Sequence, residues 1–205
     1  MTRPHEDIQH HTAVDHRPGG PGVQFAKNAW CAIDVVHVKS DRVGAGISAY
    51  ETLIEEARKS AAKAASAAIL RAGDDRGLLA LVEVGGHDAF KHLQSAWDNH
   101  HILAEHRAVA ESSKLALYQV IAVTGDCALD PQSKDAYAVE PFPTPPQQVE
   151  KLLAGLPTAP GFRGSVLIGT DDGTKSFAIY RFEHSAQIEG LRPAAQPVHP
   201  VKTFA

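Results

Sequence analysis

An acidic turn, a strand and a helix occur twice in this chain, in the same order and at a single spacing. Asp74-Asp75 is matched by Asp171-Asp172, and His87-Asp88-Ala89 by His184-Ser185-Ala186, each 97 residues later. An internal duplication is the simplest account, and it limits the fold to one supersecondary unit built twice.

Hydrophobic period defines the unit. Residues 29–38, AWCAIDVVHV, predict a buried strand with Ala32, Asp34, Val36 and Val38 on one face and Ile33, Val35 and His37 on the other. Ile47, Tyr50, Leu53 and Ile54 predict a helix within VGAGISAYETLIEEARKSAAKAAS, where the Ala-rich run raises helix propensity. SAAILRA and LLALVEV then form a hairpin about Asp74-Asp75-Arg76-Gly77, with Leu79, Leu81 and Glu83 on one face. Gly85-Gly86 turns the chain into a helix whose stripe is Phe90, Leu93 and Trp97. Asp98 can cap a further helix, NHHILAEHRAVAE, and residues 114–124 make a last strand with Tyr118 at its middle. The order is β-α-β-β-α-β, the ferredoxin-like pattern.

The second half repeats this more briefly. DAYAVEPF, PPQQVEKLLAGL, SVLIGT, SFAIYRF and HSAQIEGL are strand, helix, strand, strand and helix, followed by a Pro-broken tail ending HPVKTFA. It has no counterpart of DNHHILAEH and reads as structural. Three parts result: a mobile arm over 1–27, rich in His, Pro and Gly, a ferredoxin-like domain over 28–126 and a shorter one over 127–205. A four-stranded sheet with both helices on one face leaves its other face apolar and bare. Two copies in one chain can cover each other, so the expected fold is α+β, with two tandem ferredoxin-like sheets packed into an intramolecular dimeric α+β barrel.

Composition narrows the partners. A net charge of −4 offers no field for nucleic acid or an anionic membrane. No apolar run reaches the ~18 residues of a transmembrane helix, and MTRPHEDIQHH lacks the apolar core of a signal peptide. Two cysteines, Cys31 and Cys127, cannot make a disulfide scaffold or a zinc motif, although the strand order brings them into one neighbourhood. The expectation is a cytoplasmic protein with reduced thiols.

Chemistry-bearing residues concentrate in the first copy. His87, His92, His100, His101 and His106 lie within Asp74–Ala108, beside Trp97 and Asn99. Asp34 and Glu83 are carboxylates within apolar strands, which calls for a partner or a raised pKa. Each residue also has a structural role open to it. Asp34 can bond backbone or water, Trp97 can be core, and His101 can pair with Glu105 one turn on. His100 and His106 can face solvent. The histidine spacing does not enforce convergent metal geometry, so no metal site is expected.

The segment PGFRGSVLIGTDDGTKSFAIYRFEHSAQIEGL resembles the second strand, hairpin and helix of the antibiotic-biosynthesis-monooxygenase family, part of the dimeric α+β barrel superfamily. DDRGLLALVEVGGHDAFKHLQSAWDNHH resembles the same unit, with His92 where that helix often carries Ala-His. The resemblance spans about residues 28–192. It departs at Gly85-Gly86, where the family usually has an aromatic.

What the resemblance implies is oxygenation of a polycyclic aromatic of polyketide type, anthrone to quinone, with no cofactor beyond O2. His92 or His101 would be the base, and Asn99 with the Trp97 indole N–H would steady the developing oxyanion. Tyr50, Phe90 and Trp97 would pack on a flat substrate, with Asp34, Glu83 and Tyr118 lining it. Relatives also imply alternatives: a ring-cleaving oxygenase with diffusible reduced flavin, a haem-degrading enzyme, a cyclase, or a small-molecule-binding barrel. No Gly-rich dinucleotide fingerprint is present to hold a flavin. A homodimer of two pseudo-dimers is an open option that the sequence does not decide.

Overall fold

Alternation is clearest on β1 (Trp30–Val38). Ala32, Asp34, Val36 and Val38 are buried on one face, and Cys31 and Ile33 on the other, as the period predicts. The structure, a computed structural model, describes residues 22–39, 41–59, 66–73, 77–99, 110–192 and 194–204, with backbone alone at 96, 98, 99 and 110–114.

The first set continues with α1 (Val43–Lys59), β2 (Ala67–Ala72), β3 (Gly77–Val84), α2 (His87–Asn99) and β4 (Ala110–Gly125). The second set is β5 (Ala136–Phe142), α3 (Pro146–Leu153), a 3-10 turn at Leu156–Thr158, β6 (Phe162–Thr170), β7 (Ser176–Phe182), α4 (Ser185–Leu191) and β8 (Gln196–Phe204). Strand order is β4-β1-β3-β2 in the first and β8-β5-β7-β6 in the second. The sets join where β2 pairs with β8 and β4 with β6, so eight antiparallel strands form one closed sheet. The result is an α+β fold of two ferredoxin-like repeats. Closure removes the unpaired edges that an open sheet would present.

Three apolar clusters follow from this. One draws on all eight strands and no helix, with Cys31, Ile33, Leu70, Leu81, Val120, Ile168, Ile179 and Val198 among its members, and fills the space the sheet encloses. The second lies between the first set and helices α1 and α2, the third between the second set and helices α3 and α4. Cys31 and Cys127 share the enclosed cluster as free thiols. Burial pushes each thiol up to about 12.

Several expectations need correction. Packing starts upstream of residue 28: Val23 and Phe25 are buried in the enclosed cluster, and Val23 pairs with Leu129. The two apolar residues alternate, so both point inward from one short extended piece. The rest of the arm, 1–21, lies outside the described residues. The Pro-broken tail is a strand, β8, that pairs with both β2 and β5. Pro200 is accommodated at a register shift between Ile69 and Leu70, where a proline's missing N–H is tolerated. The helix expected over NHHILAEHRAVAE cannot extend to Glu111, because β4 begins at Ala110.

The 97-residue letter match also differs from the structural register. Asp34 lies opposite Ala80 and Glu140 opposite Ala178, and both alanines are buried on the helix-covered face, 98 residues apart. A slip of one residue exchanges the faces of a strand, so sheet register sets the equivalence.

Candidate functional site

The site is assembled on the helix-covered face of the first set. β1 presents Asp34 there, 5% exposed. Across from it, α1 places Tyr50 on its buried stripe with Ile47, Leu53 and Ile54. The Tyr50 hydroxyl donates to Asp34 Oδ2 at 2.9 Å. Burial, the Asp34 charge and this hydrogen bond together hold the phenol well above its ordinary pKa. Tyr50 therefore keeps its proton, and the carboxylate accepts it as a hydrogen bond.

α2 supplies the third member. Its buried face is Leu93 and Trp97, with Phe90 half-buried against the same cluster, as its stripe predicts. Trp97 stands edge-on to Tyr50, ring centroids 6.4 Å apart. Its indole Nε1 is sealed from solvent and has no hydrogen-bond acceptor among the described residues. An unmet buried donor costs about 1–3 kcal/mol, so a site that keeps one has a use for it or bears the cost.

The structure brings together Asp34, Tyr50 and Trp97, with Phe90 packed against the same cluster, and places the other described candidates elsewhere. Glu83 lies opposite Cys31, on the other face of the sheet from Asp34, and accepts from Ser66 Oγ at 2.6 Å. Tyr118 also pairs with Cys31 and packs edge-on to Phe177 at 5.5 Å, against the enclosed cluster. His92 is exposed, one residue before buried Leu93, and does not meet the buried carboxylate. His87 is half-exposed, with Nε2 3.3 Å from Asp171 of the β6–β7 turn and its ring 4.8 Å from that of Trp30. The Asn99 side chain and His100, His101 and His106 lie outside the described residues. Among the described residues, no three His, Cys, Asp or Glu side chains converge as a metal site.

A second carboxylate escaped the sequence reading. Glu140 of β5 is 5% exposed and accepts from the Tyr180 hydroxyl at 2.9 Å. Arg192, just past α4, donates to it through Nε and Nη2, both at 2.7 Å. Burial and the Glu140 hydrogen bond raise the Tyr180 pKa. An acid inside the apolar strand AYAVEPF was the available signal, of the same kind as Asp34 in its strand.

The fold thus defines a class: two ferredoxin-like repeats closing a single sheet, with a buried carboxylate under the helices of each. No protein-family model matches the chain, and no curated protein matches it in sequence. Solved structures do match in fold. An anthrone oxidase-like protein superposes with a TM-score of 0.67 at 14% identity, over 90% of this chain and 96% of its own. A proposed monooxygenase of Fusobacterium nucleatum gives 0.57 at 12% identity, over 87% and 95%. Chlorite dismutase of Candidatus Nitrospira defluvii gives 0.54 at 11% identity, over 86% and 93%. At these identities the likeness is one of fold. No described helix is long and apolar enough to cross a membrane.

Proposed function

We propose that this chain is an oxidoreductase that uses dioxygen to oxidise a small flat aromatic, an anthrone-type ketone with an acidic methylene. The observation that carries the reading is the buried Asp34–Tyr50 pair beside the Trp97 indole N–H, which lacks an acceptor among the described residues. The full-length likeness to an anthrone oxidase-like protein supplies the reaction class.

In this reading Asp34 removes a methylene proton and the carbanion's charge spreads onto the substrate's carbonyl oxygen. Trp97 donates to that oxyanion, and Tyr50 fixes the carboxylate. The carbanion reduces O2, a C–O bond forms, and the resulting peroxide loses water to leave a new carbonyl. One oxygen atom stays in the quinone and the other leaves as water with the two methylene protons. Four electrons leave carbon and four enter dioxygen, so no resident cofactor is required. Phe90 and Trp97 form apolar walls that exclude water. His101 and Asn99 keep their proposed roles as further base and donor, whereas exposed His92 does not fit the base role. The proposed frame is two tandem domains, 28–126 and 127–205, closing an intramolecular α+β barrel with the active site in the first.

Oxygen uptake with an anthrone-type substrate tests the reading, with and without reduced flavin. The expected result is quinone formation without flavin. Asp34→Asn is expected to reduce it ~100-fold or more, and Trp97→Phe about 100-fold. Uptake only with reduced flavin would replace the mechanism by a flavin-dependent oxygenation. No uptake under either condition would overturn the proposal.

A further inference from the structure

A cleft of about 260 Å³ lies apart from the Asp34 site, over the seam between the two sets. Its floor is four strand residues in two cross-strand pairs, Thr124 with Ser165 and Ala122 with Leu167, which join β4 to β6. Its roof comes from α3 and the turn after it, through Glu150, Leu153, Ala154 and Pro157. A register shift between Val120 and Ala122 makes the floor. Val120 points into the enclosed cluster, whereas Ile121 and Ala122 both pack with the helix-side cluster of the second set. Two consecutive residues on one face are what a β-bulge allows, and Thr124 then follows Ala122 on that face.

The polar groups in this cleft are unclaimed. Ser165 is 6% exposed, on the strand face covered by α3, and among the described residues its hydroxyl has no hydrogen-bond partner. The same holds for the Thr124 hydroxyl and the Glu150 carboxylate. The Ser165 hydroxyl is not sealed like the Trp97 indole nitrogen but opens onto the cleft, where a hydroxyl without a protein partner is free to bond what fills the space. Three groups able to accept hydrogen bonds thus line one small space, and one of them carries a negative charge.

The cleft also sits at the C-terminal end of α3, which runs from Pro146 to Leu153 and is capped by Ala154. The carbonyl end of a helix carries partial negative charge and favours a cation. Its lining residues include no Lys or Arg.

We propose that this cleft binds a small primary ammonium ion on a compact apolar body. An ammonium has three donors and no acceptor, which matches two hydroxyl oxygens and a carboxylate. Leu153, Leu167, Ala122 and Pro157 form the apolar walls for the body. The volume is just below the ~300–1,000 Å³ of ordinary ligand sites, so the ligand is small. The site is independent of the Asp34 reading.

Benzylammonium is the probe, titrated into the full chain by calorimetry and by amide-shift mapping, with uncharged benzyl alcohol as the control. Saturable binding is expected, with shifts at Thr124, Ser165 and Leu153 and at least tenfold weaker binding of the alcohol. Glu150→Gln, an exposed helix position, and Ser165→Ala should each weaken the ammonium at least tenfold. Ala154→Phe, which fills the space from the helix end, should abolish binding while the protein stays folded. Absence of saturable binding, equal affinity for the alcohol, or Glu150→Gln binding as well as the parent would each overturn the assignment.

Discussion

Asp34 and Glu140 stand at matching points of the closed sheet, opposite Ala80 and Ala178, and each accepts a 2.9 Å hydrogen bond from a tyrosine. The tyrosines come from different elements, Tyr50 from α1 and Tyr180 from β7. At Glu140 both carboxylate oxygens bond the Arg192 guanidinium, which also lies over the Phe142 ring at 5.6 Å. The duplicated acid in the second set is thereby committed to an internal ion pair.

Breaking that pair on one side is expected to be costly. Arg192→Met leaves a carboxylate that is 6% exposed without its cation, and one-sided loss of a buried pair costs about 3–5 kcal/mol. Glu140→Gln together with Arg192→Met removes both charges and keeps an acceptor for Tyr180, so most of the loss should return. Urea unfolding of the single and double variants checks this. A double variant no better than Arg192→Met would refute it.

The two buried thiols set an alkaline limit. Their pKa values rise from 9.0 to about 12 on folding, so the unfolded chain releases these protons first. Their contribution is fully present below pH 9 and is lost as pH rises from about 9 to 12. Each thiol adds about 1.4 kcal/mol per pH unit to the decline in that window. Stability measured against pH for the parent and for Cys127→Ala should show a shallower decline in the variant. Identical slopes would contradict the assignment.

Phe25 should behave as core. It is 1% exposed in the cluster that the sheet encloses, and truncating a buried phenylalanine costs about 3–5 kcal/mol. Phe25→Ala should lower the urea midpoint accordingly. A change below about 0.5 kcal/mol, the range of surface substitutions, would place the segment outside the fold.

How far the sequence reached is clearest residue by residue. Period two placed Asp34 with Val36 and Val38, and period 3.6 placed Tyr50 and Trp97 inward, so these three members of the site were legible. Period two puts Glu83 on a face with Leu79 and Leu81, but only the pairing of β1 with β3 shows that Asp34 faces the other way. Arg192 meets Glu140 across 52 residues, which no local pattern encodes. Pro197 and Pro200 hid β8, because proline argues against a strand unless a bulge or an unpaired position receives it. Val23 and Phe25 were masked by the Gly- and Pro-rich residues before them.

β4 has a consequence for motion. A single sixteen-residue strand pairs with β1 along one stretch and with β6 along the next, and β2 pairs with β8 at the other seam. The two sets are thus joined by strand ladders at both seams as well as by the chain over 126–135. Hinge closure of two lobes, a common way to admit a ligand, needs a few residues free to change φ and ψ between rigid bodies. Here the two seams, β4 with β6 and β2 with β8, are hydrogen-bonded ladders that must break before the lobes could part. A substrate of the proposed reaction, bound beneath α1 and α2, is then expected to enter by displacement of the helices rather than by opening of the closed sheet.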